Sequence, residues 1–203
     1  MCLTACFPHH QHHPRLHSSQ GQSEPEPCPP GTFGSLAGLR SSAECSLCSG
    51  GSYCDGYGLT NPRGLCAPGF FCQKGSSSSM PDFSYDSISV SVIGGICPKG
   101  HYCGMGTVLP VRCPIGTFSD QNSSQSSHSC QSCPPGFVCA SEGLTAPTGL
   151  CPDGYTSPGG AAVCVLVPRG YYQSPNTTAV LACPQGSFSI GGATFCEDCP
   201  PGS

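Results

Sequence analysis

The sequence predicts a small disulfide-rich fold of tandem cysteine-rich modules, dominated by turns and with little helix. Three observations carry this. Cysteine supplies 19 of 203 residues, in the roughly 8–10% range that marks a disulfide scaffold. Glycine (28) and proline (22) together make up about a quarter of the chain, which disfavours long helices and favours turns. One cysteine pattern also returns after 85 residues without a gap.

An ordinary apolar core is not available to this chain. Leu, Ile, Val and Phe number 35, about a sixth of the residues, and Trp is absent; globular domains carry roughly 20% or more of these four. Charge-driven disorder is also a poor fit, because charged residues are 9% and the net charge is −4. Small modules that bury little apolar surface need covalent staples, and such staples persist in oxidising compartments. The seven Lys and Arg are scattered, which disfavours nucleic acid as a partner. No apolar run approaches the roughly 20 residues that span a bilayer, so membrane insertion within this chain is not expected. The longest candidate, Ile88 to Ile96, is broken by Ser89, Ser91, Gly94 and Gly95.

The amino terminus lacks the basic, apolar and small-residue order of a signal peptide, and the last residues, Cys199 to Ser203, stop in mid-motif. Both ends look cut, so the expectation is a piece of a larger extracellular protein. Residues 1–27 read as a disordered His-, Ser- and Pro-rich tail. His9, His10, His12, His13 and His17, with Cys2 and Cys6, could touch a soft divalent metal there, but without ligand spacing fixed on a scaffold.

The repeats begin at Cys28. Cys28, Cys45, Cys48, Cys54 and Cys66 return as Cys113, Cys130, Cys133, Cys139 and Cys151. Gly58-Leu59-Thr60 returns as Gly143-Leu144-Thr145, and Gly64-Leu65-Cys66 as Gly149-Leu150-Cys151, so this is duplication. Cys72 maps to Ser157. Beyond that point the offset is 70, and Cys97 and Cys103 map onto Val167 and Gln173. The first copy thus holds about 15 extra residues, with Ser76 to Val90 their natural place and an exposed, mobile loop their expected form. The domain reading is repeat 1 over 28–75, a Ser-rich insertion or linker over 76–96, repeat 2 over 97–160, and a degenerate, truncated repeat 3 over 161–203.

The differences between copies bear on pairing. Val167 and Gln173 have lost both cysteines of one Cys-x5-Cys, which leaves no orphan if those two are partners. That suggests Cys97–Cys103, Cys66–Cys72, Cys48–Cys54 and Cys133–Cys139. The longer loops then close as Cys28–Cys45, Cys113–Cys130 and Cys183–Cys196, and Cys151, facing Ser157, has Cys164 at the same spacing as Cys183–Cys196. A crossed scheme, Cys48–Cys66 with Cys54–Cys72, stays open at this level, since spacing does not determine connectivity. Cys2, Cys6 and Cys199 are left over. The glycines Gly31, Gly69, Gly100, Gly116, Gly136 and Gly186 are expected at positive φ, each followed by an aromatic that covers a neighbouring disulfide.

At CPPGTF (28–33), CPKGHYC (97–103), CPIGTF (113–118), CPPGFVC (133–139) and CPQGSF (183–188) the chain resembles ephrin-receptor-like cysteine-rich repeats. These are relatives of the tumour-necrosis-factor-receptor, EGF-like and growth-factor-type modules. The motifs cover residues 28 to 203 and are specific for module type, not for an individual protein. The resemblance implies short β-hairpins strung into an elongated array that acts as a spacer or protein-binding stalk. Ser157, Val167 and Gln173 depart from the family pattern, so the segment around 152–182 is expected to be less regular.

Chemistry has few candidates. Cys45-x2-Cys48, Cys130-x2-Cys133 and Cys196-x2-Cys199 each resemble half a zinc site, and Cys54 and Cys66 could complete the first. A structural site needs four ligands close together, however, and no cofactor is called for. Redox chemistry would need the pair at a helix N-terminus, which the Pro- and Gly-rich flanks do not offer. His101 and His128 sit in turn contexts, and neither G-x-S-x-G nor H-E-x-x-H occurs, so no catalytic residue is assigned. Asn122-Ser123-Ser124 and Asn176-Thr177-Thr178 are sequons, giving Asn122 and Asn176 as glycosylation candidates. The function expected is a non-enzymatic extracellular array, secreted or on the cell surface, that contacts another protein or a matrix component. The alternative is a reduced intracellular zinc-binding protein.

Overall fold

The computed structural model describes residues 16–17, 26–36, 39, 41–82, 93–174, 177–200 and 202. Cys2, Cys6, most of the His-rich tail, residues 83–92 and Asn176 lie outside them. Every sheet among the described residues is a two-stranded antiparallel ribbon, and there is no α-helix among them.

A first ribbon pairs β1 (Leu16–His17) with β2 (Glu26–Pro27). Nine hairpins follow in chain order. They pair β3 (Thr32–Phe33) with β4 (Ser46–Leu47), β5 (Ser52–Tyr53) with β6 (Gly64–Leu65), and β7 (Phe70–Cys72) with β8 (Gly94–Ile96). Next come β9 (His101–Tyr102) with β10 (Val111–Arg112), β11 (Thr117–Phe118) with β12 (Gln131–Ser132), and β13 (Phe137–Val138) with β14 (Gly149–Leu150). The last three are β15 (Tyr155–Thr156) with β16 (Val165–Leu166), β17 (Tyr171–Gln173) with β18 (Val180–Ala182), and β19 (Ser187–Phe188) with β20 (Glu197–Asp198). Short 3-10 turns at Ser42–Glu44 and Ser127–Ser129 precede Cys45 and Cys130, at matching places in the two copies.

Isolated hairpins this short are marginal in water. What holds them is a ladder of backbone hydrogen bonds from each hairpin to the next. Each begins with a four-residue stretch ending in glycine, such as Cys97-Pro98-Lys99-Gly100. The amide of Gly100 donates to the carbonyl of Ser119 in the next hairpin (2.8 Å), and Cys113, which opens that hairpin, donates back to the carbonyl of Gly100 (2.8 Å). Ser123 then donates to the carbonyl of Cys97 (2.8 Å), and Cys103 donates to that of Ser124 (2.9 Å). The same set recurs one step on: Gly116 to Cys139, Cys133 to Gly116, Gly143 to Cys113, and Ser119 to Leu144. The units therefore form a quasi-one-dimensional stack in sequence order, as in solenoids.

The core of this stack is mostly sulfur. Cys28, Cys48, Cys54, Cys66, Cys72, Cys97, Cys103, Cys113 and Cys139 are fully buried. The aromatics expected to cover the bridges are less sheltered: Phe33, Tyr53, Phe71, Tyr102 and Phe118 are half-buried and Phe188 is exposed. Tyr53 lies across the hairpin over Gly64, its registered partner. All six turn glycines named from the sequence have positive φ.

One expectation fails. Ser76 was placed at the head of an exposed loop, yet it is fully buried. Its carbonyl accepts from the amide of Cys54 (2.9 Å), and its hydroxyl bonds the carbonyl of Ser78 (3.0 Å). Ser79 likewise holds the amide of Ala67 (2.9 Å). The start of the serine run is a strut of the stack, and Gly94–Ile96 pairs with Phe70–Cys72; residues 83–90 of the expected loop lie outside the described residues.

Candidate functional site

The sixteen cysteines named from the sequence are joined in eight pairs. Four close short loops: Cys48–Cys54, Cys66–Cys72, Cys97–Cys103 and Cys133–Cys139. Four close longer ones: Cys28–Cys45, Cys113–Cys130, Cys151–Cys164 and Cys183–Cys196. These are the pairs of the local scheme, and the crossed scheme is not the one present. In the hairpins with short bridges, the first cysteine of the turn bonds a cysteine six residues on, at the end of the first strand or just after it. In those with long bridges, a small residue stands at that place. Ser119 and Ser157 there are essentially buried and Ser189 nearly so. The first cysteine then reaches across to the returning strand.

The hairpin β17–β18 has no bridge, and Val167 and Gln173 occupy the two vacated positions, Val167 fully buried and Gln173 6% exposed. The substitution is more than space-filling. Everywhere else in the described ladder a turn glycine donates to a backbone carbonyl of the next hairpin. Gly154 instead donates to the side-chain Oε1 of Gln173 (2.8 Å), whose Nε2 reaches the carbonyl of Thr177 (3.3 Å). One amide side chain thus takes over a rung. The sequence signalled irregularity here but not this repair. Replacing Gln173→Leu keeps the bulk and leaves a buried donor without an acceptor, at a cost of about 1–3 kcal/mol. Hydrogen exchange at the Gly154 amide should accelerate roughly 5- to 150-fold, in proportion to that loss.

The Cys-x2-Cys pairs are divided by the bridges. Cys45 and Cys48 belong to different loops, as do Cys130 and Cys133. Cys54 and Cys66 are bridged as well. Their sulfurs are committed and offer no thiolate to a zinc ion. Cys199 is free and exposed, three residues after the bridged Cys196. His101 opens β9, directly after the turn, with its Nδ1 3.0 Å from the carbonyl of Lys99, and His128 is exposed in a 3-10 turn. Asn122 is exposed.

The outward surface carries a recurrent apolar feature that sequence reading missed. Leu47, Leu65, Leu150 and Leu166 close the second strands of four hairpins and are all exposed. Leu47 lies over Gly75, Leu65 over Gly106 and Leu166 over Gly192, with Arg112 over Gly143 at the corresponding place. The signal was a leucine immediately before the first residue of a module, Cys48, Cys66, Cys151 or, where the cysteine is lost, Val167. At the last hairpin, Phe188, Ile190, Phe195 and Glu197 line a groove.

No family model matches the chain. Over 152 residues, 73% of its length, it is 33% identical to the sushi, von Willebrand factor type A, EGF and pentraxin domain-containing protein 1 of Mus musculus, of which it spans 4%. Over 95 residues, 45% of its length, it is 30% identical to the ABC-type transporter claG of Penicillium crustosum, of which it spans 9%. The chain thus corresponds to less than a tenth of either relative. The chain's own structure is a disulfide-rich array of small hairpin modules. No helix among the described residues is long and apolar enough to cross a membrane.

Proposed function

We propose that this chain belongs to a secreted or cell-surface protein, in which its ephrin-receptor-like modules act without catalysis as a spacer or docking surface for another protein or a matrix component. One observation carries the reading: sixteen cysteines closed in bridges along a one-directional ladder. Such a density of bridges persists in oxidising compartments. A stack whose units are joined through their backbones transmits position along its length and leaves side chains such as Leu47, Leu65, Leu150 and Leu166 free for a partner. The likeness to a stretch of a protein named for EGF and sushi domains supports the same placement.

Intact mass before and after reduction, with alkylation, tests the proposal. Protein purified under thiol-blocking conditions should gain at least sixteen alkylatable thiols on reduction. A chain with every thiol free and zinc bound would sink the extracellular reading and establish the intracellular zinc-binding one.

A further inference from the structure

We propose that Asn122 is an N-glycosylation site that can be modified only before its hairpin docks onto the stack, so that folding itself closes the site. The proposal rests on the extracellular reading above. In the transfer, the side-chain nitrogen Nδ2 bonds to the anomeric carbon of a polyprenyl-diphosphate-linked oligosaccharide. The anomeric carbon–oxygen bond to phosphate breaks, the lipid diphosphate leaves with the bonding pair, and the amide gives up one proton. The motif requires a hydroxyl two residues after the asparagine, here Ser124.

In the folded chain that hydroxyl is out of reach. Ser124 is 6% exposed, and its Oγ lies 3.2 Å from the Oγ of Ser119, itself fully buried. The backbone is held as firmly. The amide of Ser123 donates to the carbonyl of Cys97 (2.8 Å), and the carbonyl of Ser124 accepts from Cys103 (2.9 Å). The side-chain Oδ1 of Asn122 accepts from the amide of Lys99 (3.2 Å). Ser123 has φ 60°, the one left-handed residue other than glycine among the described residues. It stands where Gly75, Gly106, Gly143 and Gly160 stand in other hairpins, each a donor to the first residue of the preceding module. The whole sequon is therefore a rung between two modules, fixed by the module made before it.

The finished structure nevertheless accommodates the product. Asn122 is exposed, and a glycan occupies Nδ2 while the bond to Lys99 uses Oδ1. The sugar points to solvent at the junction between the Cys97 and Cys113 modules, and no rung of the ladder is lost.

Two measurements test this. The chain, placed behind a cleavable secretion signal, is expressed in animal cells, and the peptides of the secreted protein are deglycosylated by an N-glycosidase in heavy-oxygen water and mapped. The Asn122 peptide should carry the heavy-oxygen label, and Asn122→Gln should remove one glycan while leaving secretion and bridging intact. Purified oligosaccharyltransferase with a lipid-linked donor is then given two unglycosylated forms: the oxidised, folded chain, and the same chain reduced and alkylated. Asn122 of the unfolded form should be modified at least tenfold faster. Equal rates would overturn the closure by folding. A secreted, fully bridged chain with a bare Asn122 would overturn the site while leaving the extracellular reading standing, whereas a chain retained with free thiols would overturn both.

Discussion

Complete reduction of the bridges is expected to abolish the fold, and partial reduction to open them in a fixed order. Each loop contributes about 2–3 kcal/mol on the chain-entropy account, against an ordering cost of about 1–2 kcal/mol per residue. The fully buried residues are mainly the cysteines themselves, so no independent apolar core remains to offset that cost once they are free. The order follows from burial. Both partners are buried in Cys48–Cys54, Cys66–Cys72, Cys97–Cys103 and Cys133–Cys139. Cys45, Cys130 and Cys164 are half-buried, and in Cys183–Cys196 both partners are. Exchange requires a thiolate to reach a sulfur, so Cys183–Cys196 should open first, the other long-loop bridges next, and the short ones last. Stepwise reduction with alkylation and peptide mass mapping gives the order, and amide dispersion in NMR spectra follows the fold. Labelling of Cys48 ahead of Cys196 would refute the order. Retained dispersion after full reduction would mean that the ladder stands without its staples.

The bridge pattern was legible because two copies of the repeat disagree in an informative way. Val167 and Gln173 lose their cysteines together, and Cys151 keeps a substitute in Cys164 where Ser157 faces it. The hairpins were legible only through the family resemblance, since strands of two residues leave no periodicity to read. The ladder was hidden for a different reason. It is made by backbone groups, and its sequence trace is a glycine that serves the local turn equally well. Ser76 shows the cost of that ambiguity: a serine run looks like loop from composition, while its first residue contributes a carbonyl that no composition reports. Gln173 is the converse case, a residue whose polarity looked like decay of the motif and which instead supplies a missing rung. The outward leucines were visible as residues but not as a surface, because their alignment depends on the stacking.

The second large effect is expected at Gly100. Two separate demands meet there. Its φ of +76° is one that side-chain-bearing residues rarely adopt, in a turn where the amide of His101 bonds the carbonyl of Pro98 (3.2 Å). A Cβ at this position would also run into the backbone carbonyl of Gly143, two hairpins further along. Backbone cannot swing aside as a side-chain tip can, so the stack would have to open. Gly170 separates the two demands, with φ +80° and nothing within 4 Å of a Cβ built on it. Gly170→Ala should cost only the left-handed penalty of about 1–2 kcal/mol. Gly100→Ala should add an overpacking cost of about 1–3 kcal/mol to it. The readout is hydrogen exchange at the rungs that each glycine shares, the amides of Gly100 and Cys113 in one case and of Gly170 and Cys183 in the other, together with the Gly143 amide, which bonds the carbonyl of Cys113 beside the close approach. Exchange should rise much more at the first set than at the second. Equal losses would mean that the turn alone requires the glycine, and that the approach between alternate hairpins carries no weight. Unequal losses in the expected sense would tie the turn glycines that meet an alternate hairpin, Gly31, Gly51, Gly116 and Gly154 besides Gly100, to the stacking of the array, which no single module can display.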